Sequence, residues 1–276
     1  MDKGKHDYEV IFVDVGQGDA TIIHKLSNMH SVLIDAGTAV PVLSRLKQSA
    51  ELEGIFITHW DRDHIGGMPA VIKWLIDQSY KSIDFFINLQ SASTAIERHF
   101  RRTLHLALEE GVIQVKPACK DLINSVNLIN GRISILWPPY GKVITHPDKR
   151  NYGSIILNFK VGKFRLLLGG DAKGDVWPNI DSDELKADVL KYPHHGGALR
   201  SGDNCWSADE LITKVNPDWI VVSVGADNPH GHPSKEFIDA QSKHPEIQFW
   251  DTTEGDITLQ VESQTGHIKM SKSKPH

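Results

Sequence analysis

The sequence predicts an α/β protein built as a four-layer αββα sandwich, two sheets face to face with helices outside, forming a single domain over residues 1–276. Three observations lead there. The chain divides into two β-lobes of comparable size, about 1–137 and 151–276. Each lobe begins with closely spaced apolar strands and then alternates strand with helix. The acids and histidines that stand out fall at strand ends throughout, which is where α/β folds place ligand sites.

Composition narrows the class. The 276 residues are 40% hydrophobic and 24% charged, enough for a sizeable core. The formal net charge of -5 carries no overall basic signature of a nucleic-acid-coating protein. Two cysteines, Cys119 and Cys205, make no framework and no CxxC pair, so a reducing compartment is the simpler reading. Residues 1–9 are polar, without the apolar run of a secretory signal. No stretch approaches the roughly 18–20 apolar residues of a membrane span. A soluble, cytoplasmic protein without a membrane partner is expected.

In chain order, residues 10–13, 20–24 and 31–34 read as strands, with a tight turn over Asp14-Val15-Gly16-Gln17-Gly18-Asp19. A short helix over 41–49 and a strand over 54–57 follow. Residues 68–76 have helical periodicity, 84–88 a buried-strand run, and 94–110 an amphipathic helix with Ile96, Phe100, Leu104, Ala107 and Leu108 as its apolar face. Strands are expected over 112–115 and 133–137. Pro138-Pro139-Tyr140-Gly141 then breaks regular structure. The second lobe reads as a hairpin (155–161 and 163–168), a short link or helix over 183–187, and a strand over 188–192. A helix over 207–215 starts with a Ser207/Glu210 capping box. A strand over 219–224, a helix over 233–242 opened by Pro233, and strands over 248–250, 257–261 and 267–270 complete it.

One segment concentrates chemistry. Thr58-His59-Trp60-Asp61-Arg62-Asp63-His64-Ile65-Gly66 places two histidines and two aspartates within six positions, directly after a strand. Buried charge at that density is costly unless it is paired or binds metal. In an extended loop, residues i, i+2 and i+4 share a side. His59, Asp61 and Asp63 then converge, with His64 behind them, as half of a two-metal site. Asp35, Asp171 and the His194/His195 pair stand at other strand ends as candidates for the rest.

These motifs together resemble a metallo-β-lactamase-fold hydrolase, and more narrowly the stand-alone relatives of the C-terminal domain of ComEC-type DNA-uptake proteins. The residues that carry the resemblance are 14–20, Leu33-Ile34-Asp35-Ala36-Gly37, 58–67, Asn151-Tyr152-Gly153-Ser154, Leu168-Gly169-Gly170-Asp171, 188–197 and Asn228 through Pro233. The superfamily's usual first motif is His-x-His-x-Asp-His. Asp61 replaces its second histidine, as in the ComEC-like branch and in phosphorylcholine esterases of this fold. The usual histidine between that motif and the bridging acid is replaced by the 151–154 motif. The resemblance implies two divalent ions, Zn²⁺ or Mn²⁺: one on His59 and Asp61, the other on Asp63, His64 and one of His194 and His195, with Asp171 bridging. Of the last two, His194 is preferred because it comes first after the strand. Asp35 is implied as an orienting acid behind the ligands, with Asp14 and Asp19 in similar roles. Asn151 and Ser154 are expected to donate hydrogen bonds to substrate or to a metal-bound water. His232 is the candidate substrate-side histidine, and Asp63, Asp171 and His232 form the expected catalytic set.

Paired divalent ions activate water and clamp the attacking and leaving oxygens of a displacement. The leading expectation is therefore a phosphodiesterase or nuclease with nucleic acid as substrate. Basic stretches at 98–102, 142–150 and 269–274 are candidates for the backbone path. Two alternatives stay open. One is hydrolysis of a smaller ester, a phosphorylcholine-type substrate or a lactone, with Trp60, Trp137 and Tyr140 as pocket walls. The other is an effector switched by a protein partner of the same pathway, or a non-catalytic metal-binding module. The oligomeric state is left open.

Overall fold

The computed structural model describes residues 6–88, 90, 93–145, 150–200 and 203–273. Its strands are β1 (Tyr8–Phe12), β2 (Thr21–Lys25), β3 (His30–Ile34), β4 (Glu51–Phe56), β5 (Ile83–Ile87), β6 (Ile113–Pro117), β7 (Ser125–Leu128), β8 (Gly131–Trp137), β9 (Ile156–Val161), β10 (Phe164–Leu168), β11 (Val189–Lys191), β12 (Trp219–Val222), β13 (Gln248–Asp251), β14 (Ile257–Glu262) and β15 (His267–Lys272). Its helices are α1 (Ala39–Leu46), α2 (Arg62–Ile65), α3 (Met68–Asp77), α4 (Ala95–Glu109), α5 (Tyr140–Thr145), α6 (Ser182–Leu185), α7 (Ala208–Val215) and α8 (Lys235–Gln241).

Strand alternation produces the layers. In β1, Tyr8, Val10 and Phe12 point into a core between the sheets, while Ile11 points to a helix layer. In β10, Phe164, Leu166 and Leu168 face inward and Leu167 outward. Three separate cores result. One lies between the first sheet and α1, α3 and α4, one between the sheets, and one between the second sheet and α6, α7 and α8. Two sheets with a helix layer on each outer face are the predicted αββα sandwich.

The first sheet runs β15-β14-β1-β2-β3-β4-β5-β6 and the second β13-β12-β11-β10-β9-β8-β7. The sheets do not coincide with 1–137 and 151–276. β7 and β8 leave the first length of chain to join the second sheet, and β14 and β15 return to the first. The strands β3–β6 and β10–β13 are parallel within their sheets. Ile34 pairs with Phe56 and Leu168 with Lys191. The chain therefore leaves neighbouring strands level, and the residues after β3, β4, β10 and β11 emerge at carboxyl-end rims.

Several local expectations change. The loop after β4 is not extended throughout: Asp61 precedes the helical turn α2, so Asp63 and His64 lie on a turn. β7 carried too weak an apolar pattern to read. α5 forms where the prolines were expected to end regular structure. On α4, Phe100, Leu104 and Ala107 are buried as expected, but Ile96 is half-buried, Leu108 is 42% exposed, and Glu97 near the helix start is buried. Pro233 precedes α8 rather than opening it; Ser234 is the N-cap and accepts from the Phe237 amide. The Ser207/Glu210 capping box is present. Both cysteines are free thiols. Among the described residues no helix is long and apolar enough to cross a membrane.

Candidate metal centre

Four strand ends build the site. β4 delivers His59 and, past Asp61, the α2 turn with Asp63 and His64. β10 delivers Asp171, β11 delivers His195, and β3 delivers Asp35. Backbone contacts lock the loops together. The Asp19 amide donates to the Asp63 carbonyl at 3.0 Å, and the Gly37 amide to the Asp19 carbonyl at 2.9 Å. A Cβ at Gly18 or Gly37 would come within 2.4 Å of the Asp63 carbonyl oxygen, so both positions require glycine.

Asp171 is the centre. It is 3% exposed, and its two oxygens face different partners. Oδ2 lies 3.6 Å from His59 Nε2, which is also 3.5 Å from Asp61 Oδ2. Oδ1 lies 3.2 Å from His64 Nε2 and 3.6 Å from His195 Nε2, and the latter is 3.3 Å from Asp63 Oδ2. The donor atoms thus form two groups joined by one carboxylate. Single atoms of Asp19, His64, Asp171 and His195 all lie within 4.8 Å of one another.

The residues fit divalent cations on their own chemistry. Nε2 of His59, His64 and His195 and Oδ1 of Asp171 are buried without a hydrogen-bond partner. Leaving such an atom unpaired costs about 1–3 kcal/mol. The opposite ring nitrogens are engaged. His64 Nδ1 meets Asp35 Oδ2 at 2.8 Å, and His195 Nδ1 meets the Ser223 carbonyl at 2.9 Å. With Nδ1 as donor, each Nε2 presents a lone pair to the centre, as metal-binding histidines do. Asp35 also accepts from the Thr58 amide and hydroxyl, at 2.8 and 2.6 Å. Ser154 Oγ accepts from the Asp171 amide at 2.9 Å.

Charge in the cluster runs against burial. Burial would raise Asp171, yet His64, His195 and His59 hold it well below the usual carboxylate range. Burial would lower His64, yet Asp171 and Asp35 hold it well above the usual imidazole range. Burial opposes the shift at His195 too, where Asp171 and Asp63 win and raise it. The pocket of acids therefore holds positive charge strongly. Backbone strain gathers here as well. Asp35, His194 and His195 have φ of 58°, 51° and 54°, a left-handed conformation uncommon for residues other than glycine.

The structure corrects the preference between the adjacent histidines. His195 enters the donor group. His194 instead faces the His232 ring, 5.3 Å between centroids, and burial drives its pKa down to about 4. His232 stands beside both on the cleft side. Burial, then the His195 and His230 charges, lower its pKa. Asn228 holds its loop by bonding the His232 amide at 2.9 Å and carbonyl at 2.7 Å. Asn151 lines the cleft, and Ser154 is buried behind Asp171 rather than open to substrate. Asp14 does not reach the centre: its carboxylate accepts from the Gly16 amide within its own turn. Asp19 does, and it is held there by Lys191 Nζ at 2.6 Å. Lys191 is a buried cation in a fully buried strand, which sequence reading passed over.

The centre opens into a cleft of about 1340 Å³ with Asp61, Asp63, Arg150, Asp171, His194 and His232 on its walls. Trp60 and Trp137 do not wall it; both are buried, at 2% and 3% exposure, and Trp60 packs edge-on against Phe100. Arg98 bonds the Ser93 carbonyl, and Arg101 lies over the Trp60 ring, so this part of α4 is engaged locally. Of the other basic stretches, 146–149 and 274 lie outside the described residues.

Comparison with known proteins agrees with this fold. Residues 13–84 match the Metallo-beta-lactamase superfamily. The chain is 26% identical over 265 residues to ComE operon protein 3 of Bacillus subtilis, covering 86% of this chain and 31% of that protein. It is 24% identical over 286 residues to Recombination protein 2 of Haemophilus influenzae, covering 98% of this chain and again 31% of that protein. It thus spans under a third of either relative. The crystal structure of the metallo-beta-lactamase fold protein YhfI from Bacillus subtilis superposes with a TM-score of 0.56 at 12% identity, covering 96% of this chain and all of that one. The chain is therefore a metallo-β-lactamase-fold protein similar to the ComEC-like competence proteins.

Proposed function

We propose that the chain is a two-ion phosphodiesterase acting on nucleic acid. The observation that carries this reading is the divided Asp171 carboxylate, one oxygen toward His59 and Asp61 and the other toward His64 and His195. His59, Asp61 and Oδ2 of Asp171 would hold one divalent ion. Asp63, His64, His195 and Oδ1 of Asp171 would hold the other. Such a pair supplies an activated water and neutralises charge on the attacking and leaving oxygens. A ligand set rich in carboxylate suits Mn²⁺ as well as Zn²⁺.

The chain's own groups supply the rest. Asp35 and the Ser223 carbonyl fix the tautomers of His64 and His195, so neither ring reorients during turnover. Ser154 fixes Asp171. His232, neutral at pH 7 because burial and neighbouring imidazoles lower its pKa, offers a ring N–H to a phosphate oxygen and gains affinity for a proton as negative charge develops there. The cleft of about 1340 Å³ opens directly onto the donor atoms. Similarity to ComEC-like competence proteins supports nucleic acid as the substrate.

The test is a substrate panel with metal-free protein reloaded with Mn²⁺ or Zn²⁺. Single- and double-stranded DNA, RNA, bis-p-nitrophenyl phosphate and nitrocefin are compared, with Asp171→Ala beside the natural chain. Metal-dependent cleavage of the phosphodiesters, abolished in the variant, is expected. Turnover of nitrocefin without any phosphodiester overturns the reading.

A further inference from the structure

The half of the centre formed by His59 and Asp61 is held differently from the other. Asp61 sits at the N-cap of α2 but makes no capping hydrogen bond, so the turn does not fix its carboxylate. Its Oδ2 faces His59 Nε2. Its Oδ1 is taken by Arg150 Nη1 at 2.6 Å. The same Nη1 lies 2.6 Å from Glu97 Oε1, and Nη2 donates to Ser93 Oγ at 3.1 Å. Glu97 is 1% exposed. Its other oxygen closes the capping box of α4, accepting from the Thr94 amide at 2.9 Å and the Ser93 amide at 2.6 Å. A buried carboxylate is thus anchored to a helix start, carries a guanidinium, and through it holds Asp61 across the cleft wall.

The arrangement has a directional consequence. A free carboxylate at Asp61 has two equivalent oxygens and rotates about its side chain. With Oδ1 pinned by Nη1 of Arg150, Oδ2 is the oxygen presented, and it is presented beside His59 Nε2 and Asp171 Oδ2. Among the described residues this half has those three donors, so the loss of one matters more here than in the half with Asp63, His64, His195 and Asp171. The geometry points to Arg150, braced by Glu97, as the positioning residue that aims Asp61 at the His59 side of the centre and so sets the affinity of that side for a divalent cation. The inference rests on the two-ion reading of the site.

Two-site calorimetric titration of the metal-free chain with Mn²⁺ tests it without any measure of catalysis. Arg150→Gln should weaken one equivalent by at least about tenfold, the scale for losing a group that orients a ligand, and leave the other within about twofold. Arg150→Lys keeps the charge Glu97 needs but loses the second nitrogen that holds Ser93 Oγ, and should fall between the natural chain and Arg150→Gln. Asp61→Asn should weaken the same equivalent, and the double variant should be no weaker than Asp61→Asn alone, since Arg150 acts through Asp61. The inference is overturned if Arg150→Gln leaves both equivalents unchanged, weakens both together, or adds fully to Asp61→Asn. A natural chain that binds a single equivalent removes the two-ion reading and this inference with it. Two equivalents without phosphodiester cleavage remove only the proposed function.

Discussion

The two halves of the centre share Asp171 but are built from different materials. The His64–His195 half is buried and braced by the fold: Asp35 directly follows Ile34, the last paired residue of β3, the Ser223 carbonyl is backbone, and Asp19 is pinned by a buried lysine. The His59–Asp61 half is braced by side chains on a cleft wall, and the Asp61 side chain is 34% exposed. One half is braced by groups buried in the fold, the other by Arg150, Glu97 and Ser93 on the cleft wall. Each brace is therefore separately open to substitution.

The largest expected effect erases the comparison. Asp171→Ala removes the shared carboxylate, and both equivalents of Mn²⁺ should be lost in a calorimetric titration. That loss should exceed the roughly 10–100-fold cost of an outer partner. Retention of either equivalent at natural affinity would show that the halves are independent of Asp171.

Next comes the adjacent pair. His195→Ala should abolish tight binding in the His64–His195 half. His194→Ala should leave both affinities within about threefold, because His194 faces His232 rather than the donors. Reversed outcomes in the same titration would return the ligand role to His194. Asp35→Asn is milder. It keeps the shape but weakens the acceptor behind His64, and should cost that half roughly 10–100-fold in metal affinity while sparing the other. Equal losses in both halves would mean that Asp35 acts on the fold rather than on His64.

A separate effect lies outside both halves and acts on stability rather than on metal binding. Burial, aided by the Arg45 charge, lowers the His24 pKa to about 4. Between the ordinary value near 6.5 and about 4, the unfolded chain binds a proton that the folded chain refuses. Stability should therefore fall as pH drops through that window, by up to about 1.4 kcal/mol per unit, and level off below it. Urea unfolding of the natural chain and of His24→Gln at pH 7, 6 and 5 should show the steeper loss in the natural chain. Parallel profiles would remove His24 from the account.

Much of this was legible in sequence because strand ends announce themselves. A run of apolar residues halted by Asp-Ala-Gly, Thr-His or Gly-Gly-Asp marks both an element and its rim, and Asp35, His59, His64 and Asp171 all came from that signal. Three things were not legible, each for a physical reason. The choice between His194 and His195 turns on two successive left-handed residues, which no periodicity encodes. The roles of Arg150 and Lys191 depend on contacts across 53 and more positions, Arg150 with Glu97 and Lys191 with Asp19. The exchange of β7, β8, β14 and β15 between sheets leaves each strand's own pattern unchanged, so only pairing reveals it.

Anomalous diffraction from crystals grown with Mn²⁺ tests the central claim most directly. The divided carboxylate predicts two peaks flanking Asp171, one against Oδ1 beside His64 and His195 and one against Oδ2 beside His59 and Asp61. A single peak, or two peaks on the same oxygen, would contradict a centre built as two halves around one bridging acid.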